Sequence, residues 1–120
     1  MRLEYLLFDA SEEDSGACSF DAMASVLPPR LTPLLQEVAA VLGWAYRAFG
    51  APSNGGDEGE WDFELQASDE HDAALEIACD VARAQVSLPR TPAGRVTLAL
   101  TVSGSPAFAE AFRDAFPESD

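Results

Sequence analysis

Val96, Leu98, Leu100 and Val102 alternate with Thr97, Ala99, Thr101 and Ser103, a strict period of two that an extended strand uses to separate one apolar face from one polar face. Two other stretches repeat the pattern. Cys18, Phe20, Ala22, Ala24 and Val26 share one parity, with Ser19, Asp21 and Ser25 on the other. Trp61, Phe63, Leu65 and Ala67 alternate with Asp62, Glu64, Gln66 and Ser68, which gives a strand with one buried and one acidic face. The alanines of the segment from Ala17 to Val26 weaken it, because Ala is a poor strand former.

Half-buried strands need a covering layer. Thr32 is a suitable N-cap and Pro33 suits a first helical position. Leu34, Leu35, Val38, Leu42, Ala45, Tyr46 and Phe49 then recur at three- and four-residue spacing, and Gly50 stands where a left-handed cap belongs. A helix over 33–49 would be about 25 Å long, comparable to a domain's width. Trp44, Tyr46 and Phe49 are expected at the core and its edge. Ser105-Pro106 repeats the cap-then-proline start, and Phe108, Phe112 and Phe116 mark a short amphipathic helix ended by Pro117.

The apolar segment from Leu3 to Ala10, the polar turn Ser11–Gly16 and the strand after it read as an antiparallel pair. Gln85–Leu88 and Arg95–Ser103, joined by the proline-stiffened stretch Pro89–Gly94, read as a hairpin. Residues 70–84 satisfy two patterns. As a helix, with Ser68 or Asp69 as cap, they place Ala74, Ile77, Ala78 and Val81 inward but stack Asp72, Glu76 and Asp80 at i,i+4 spacing. As a strand they alternate from Leu75 to Val81. Helix and strand both stay open at this point.

The expected fold is therefore α+β, one domain over 1–120. A mostly antiparallel sheet is expected from an N-terminal strand pair, a central strand 61–68 and a C-terminal hairpin 85–103. A long helix 33–49 and a short C-terminal helix 106–116 pack on it. The Pro, Ser, Asn, Gly, Asp and Glu composition of 51–60, centred on Asn54-Gly55-Gly56, predicts a mobile surface loop.

Charge bounds the function. Twenty-one acids against seven basic residues give a net charge of −14 over 120 residues, so contact with nucleic-acid phosphates or anionic lipid is not expected. The excess is local. Residues 57–80 carry ten acids and no arginine, whereas residues 81–120 carry four of each. No stretch approaches the ~20 apolar residues of a membrane span, no secretory leader is visible, and cytoplasmic residence is the expectation. The Ala-rich, Lys-free composition suggests a bacterial source of high genomic GC content.

Residues suited to catalysis are scarce. All seven basic residues are Arg, which excludes a Schiff-base or P-loop lysine. Cys18 and Cys79 form neither a disulfide framework nor a zinc cluster and read as buried free thiols. Ser103-Gly104-Ser105 has the position of a nucleophile elbow but lacks its second glycine and is followed by proline. The Gly-rich loop has no lysine and no following helix, so it is no phosphate cradle. The sole histidine, His71, lies among Asp69, Glu70 and Asp72, a setting that suits a general base or a metal ligand. The acids from Asp57 onward do not follow the EF-hand spacing, since Gly59 and Trp61 fall at its third and fifth positions.

The expected function is a non-enzymatic binding or regulatory module contacting a basic protein partner, with no cofactor and no metal site. The candidate surface is Asp57, Glu58, Glu60, Asp62, Glu64, Asp69, Glu70 and Asp72. The alternatives are a face that only keeps the chain soluble and a small metal-assisted hydrolase using carboxylates and His71.

Overall fold

The structure is a computed structural model that describes residues 3–53, 59–90 and 92–117. In chain order the elements are β1 (Asp9–Glu12), β2 (Cys18–Val26), a 3-10 turn (Pro28–Arg30), α1 (Leu31–Phe49), β3 (Trp61–Ser68), β4 (Ala74–Leu75), β5 (Ala78–Asp80), β6 (Gln85–Ser87), β7 (Val96–Gly104) and α2 (Pro106–Ala115). The class is α+β, with antiparallel sheets and the two expected helices. No helix among the described residues is long and apolar enough to cross a membrane.

The main sheet runs β1-β2-β7-β3-β4. Its centre is β7, whose Val96, Leu98, Leu100 and Val102 are fully buried. On one side Phe20, Ala22 and Ala24 face Val102, Leu100 and Leu98. On the other side Phe63, Leu65 and Ala67 face the same three residues. The alanines of β2 thus sit opposite leucines, small against large, which offsets their poor intrinsic strand preference through packing.

The C-terminal hairpin expected over 85–103 does not form. β6 pairs instead with β5 in a separate two-stranded sheet, and β7 inserts between β2 and β3. Pairing β7 to β6 would bury one side of its apolar ladder, whereas the central position buries both. Residues 70–84 take the strand alternative, in short pieces. Asp69 does not cap a helix: its Oδ1 accepts the N–H groups of His71 and Ala73 at 2.8 and 3.0 Å, closing a tight turn with Asp72 at φ 63. The turn from Val81 to Ala84 then folds β6 back against α1.

The N-terminal strand is also displaced. Of the apolar segment only Asp9 and Ala10 enter β1, which runs on into the residues expected to form a turn. Leu3 to Phe8 form a strap instead. The Glu37 carboxylate of α1 accepts N–H bonds from Glu4, Tyr5 and Leu6 at 2.7 to 3.2 Å, and Leu6 is buried. These backbone groups are satisfied by a side chain, which leaves the segment no need of a strand partner.

Thr32 lies inside α1 and is not its cap. The 3-10 turn at Pro28–Arg30 feeds the helix directly, with Arg30 at the N-cap position. Pro33 remains compatible because the first four helical N–H groups have no intrahelical acceptor. Gly50 ends the helix at φ 84, its N–H bonded to Tyr46 O. Ser105 caps α2 as expected, accepting from Phe108 N at 3.2 Å.

An aromatic cluster joins the layers. Phe20 stacks on Phe112 at 4.3 Å, Trp61 on Phe108 at 5.9 Å, and Trp44 meets Phe108, Phe112 and Phe116. Both helices therefore cover the same face of the sheet. No described element covers the other.

Candidate functional site

The uncovered face is built by alternation. Residues directly opposite one another in a sheet project to the same side, so the register carries one row of side chains from Asp9 to Asp21, Thr101 and Glu64. The next row runs through Met23, Ala99 and Gln66, and another through Ser25, Thr97 and Ser68. Asp62 lies on the same side, opposite Ser103. Asp9, Asp21 and Glu64 are exposed, and Thr101 Oγ1 donates to Asp21 Oδ1 at 2.5 Å, fixing that carboxylate in place. Asp9 and Asp21 stand as a like-charge pair directly opposite each other, an arrangement that costs stability.

None of the residues of β1, β2, β3 or β7 is basic. Arg95 sits just before β7 and donates to Ser25 O at the far end of the face. Arg30 ends the 3-10 turn, Arg83 lies in the β5–β6 turn, and Arg47 and Arg113 are on the helices. The arginines of these segments thus lie off the four strands that carry the acidic side chains. In the middle of the acidic face Met23 is 70% exposed. It borders a groove of about 430 Å³ that Gln66, Ser68, Asp72, Thr97 and Ala99 also line.

The ten-acid block divides among several places. Asp57, Glu58 and the centre of the expected loop, Asn54-Gly55-Gly56, lie outside the described residues. Glu60 binds the start of α2: its carboxylate accepts the Ser105 hydroxyl and its carbonyl accepts Ser105 N at 2.9 Å. Asp62 and Glu64 reach the sheet face, and the Asp62 carboxylate also accepts Phe63 N at 2.9 Å. Asp69, Glu70 and Asp72 belong to the β3–β4 turn, with Asp72 at the groove. Two N–H donors hold the Asp69 carboxyl below its ordinary pKa. Glu76 lies beyond β4, and Asp80 pairs with Arg83 at 3.7 Å.

Asp9 and Asp21 are the members that a local acid count misses. They come from sequence positions far from the block, and only strand pairing brings them into one row with Glu64 across the sheet. Their one sequence signal is parity, since Asp21 falls on the polar side of its strand.

His71 does not lie in a cleft. Its side chain is 81% exposed, and its Nε2 is 3.6 Å from Glu70 Oε1. Among the described residues no three His, Cys, Asp or Glu side chains are grouped so as to hold a metal ion. The two cysteines differ, which corrects the expectation that both are buried: Cys18 is buried and Cys79 is exposed. Desolvation and the adjacent Asp80 push the Cys79 thiol above its ordinary value, the reverse of an activated nucleophile. Ser105, in the elbow-like position, is occupied as a helix cap. No protein-family model, curated protein or solved structure matches the chain.

Proposed function

We propose that this protein is a non-enzymatic binding module that docks a basic protein through the open acidic face of its sheet. One observation carries the reading. The face has no covering element among the described residues, and its strands contribute Asp9, Asp21, Asp62 and Glu64 with no basic residue between them. Opposed potentials speed encounter and set orientation between partners.

The rest of the face suits the same partner. Lys and Arg carry apolar stems beneath their charged heads. Met23 and the groove beside it offer those stems an apolar contact, while Asp72 lines the groove and Asp21 and Glu64 stand in the next row of the same face. A second copy of this chain is a poor occupant, since two such faces repel each other. Unpaired Cys18 and Cys79 suit a reducing compartment, which supports placement in the cytoplasm.

Titration of the isotope-labelled protein with an arginine-rich peptide tests the proposal. Amide shifts are expected at Asp21, Met23, Glu64, Gln66, Ala99 and Thr101. Binding should weaken steeply as salt shortens the screening length from ~10 Å at 0.1 M toward ~3 Å at 1 M. Asp21→Asn combined with Glu64→Gln should cost roughly tenfold in affinity, about 1.4 kcal/mol. Shifts confined to other surfaces, or salt-insensitive binding, would sink the proposal.

A further inference from the structure

We propose that the pocket between the N-terminal strap, β2 and α2 binds a small amphipathic anion, with an aromatic or short alkyl body and one carboxylate. This site is on the helical side of the sheet and is independent of the acidic face. Its volume is about 380 Å³, within the ~300–1,000 Å³ that small-molecule sites span. Phe8, Phe20, Phe112 and Phe116 line it, with Arg113 the one charged residue.

The rings are fixed by one another. Phe8 meets Phe112 edge-on at 5.1 Å, Phe20 stacks on Phe112, and Phe112 lies 5.1 Å from Phe116. A preformed apolar wall of this kind needs little reordering to accept a ligand.

Arg113 supplies the polarity that selects the ligand's charge. Its guanidinium lies 5.7 Å from the centre of the Phe20 ring, and Nη2 is 3.4 Å from Cys18 Sγ. Neither contact neutralises the charge. The ion pairs among the described residues are Glu70 with His71 and Asp80 with Arg83, so Arg113 has no carboxylate partner there despite the large excess of acids. A cation in the last turn of α2 is favourable by itself. Phe20, Phe112 and Phe116 are buried core rings, and their edges together with half-buried Phe8 form an apolar floor directly beside that charge. Arginine donors match a carboxylate bidentately, and the remaining volume takes the apolar body.

The probe pair is 3-phenylpropionate and its uncharged amide, which share shape and differ in charge. Titrated into the full chain, the carboxylate should shift amides at Phe8, Ala10, Phe20, Phe112, Arg113 and Phe116 saturably, and the amide should bind roughly tenfold more weakly. Arg113 is exposed, so Arg113→Gln should fold normally and bind the carboxylate no better than the amide. Phe116→Ala should weaken both probes alike, by lost apolar contact. The proposal is overturned by equal binding of acid and amide, by unchanged affinity in Arg113→Gln, or by the absence of shifts at these residues at millimolar probe.

Discussion

The Cβ of Ala84 lies 2.6 Å from the point where a Cβ on Gly43 would sit. Helix α1 can approach the β5–β6 turn because Gly43 has no side chain, and Ala84 meets it from a backbone with φ 53. An alanine at 43 gains up to about 1 kcal/mol of helix preference but overpacks this contact at a cost of roughly 1–3 kcal/mol. Gly43→Ala is therefore expected to lower stability to urea, and adding Ala84→Gly should recover most of the loss. A more stable single variant would show that the approach is not tight.

Glu37 fastens the strap. One carboxylate accepts three backbone donors that no strand satisfies. Glu37→Ala should leave those donors unpaired wherever they stay buried, destabilising the fold by about 1–3 kcal/mol. Hydrogen exchange at Tyr5 and Leu6 should accelerate well before the sheet amides do. Equal acceleration across the sheet would mean that Glu37 supports the fold globally and not the strap.

The two thiols should separate by reactivity. Cys79 is exposed, but desolvation and then Asp80 raise its pKa. At a given pH it holds less thiolate than a free cysteine does, so alkylation should be slow and should gain rate with rising pH later than a model thiol. Asp80→Asn should speed the reaction. Cys18, which is buried, should be alkylated only on unfolding. Rapid labelling of Cys18 in the native protein would contradict its burial against Arg113.

The β3–β4 turn should respond to acid. The Asp69 carboxyl is held below its ordinary value by the N–H groups of His71 and Ala73. A lowered folded pKa means that its contribution is present above the unfolded value near 3.9 and is lost as pH falls through the folded value. Amide shifts of His71 and Ala73 should titrate together with a midpoint below 3.9, and Asp69→Asn should abolish that titration. A midpoint at or above the ordinary value would contradict the turn geometry.

Much of this architecture is legible in local periodicity. The strands at 18–26, 61–68 and 96–104 and both helices follow patterns that each segment carries by itself. What periodicity could not supply was the choice of neighbour. The alternation of Val96 to Ser103 fits a hairpin with β6 as well as a seat between β2 and β3, and only total burial separates them. Residues 70–84 were ambiguous for a related reason: their outcome depends on a side chain, Asp69, bonding to its own turn. The acidic surface was half visible, through Asp62 and Glu64. Asp9 and Asp21 join it through long-range pairing, which no residue count reveals.

The position of β7 also dictates when the molecule can form during synthesis. β2 and β3 are not neighbours, and each pairs with a strand that begins only at Val96. Until that last fifth of the chain has been made, β2 and β3 each present an apolar strand edge without its partner. Closure of the core is therefore a late event driven by contacts distant in sequence, of the kind that slows folding. A chain interrupted before Val96 would carry both unpaired edges permanently, and such edges template aggregation.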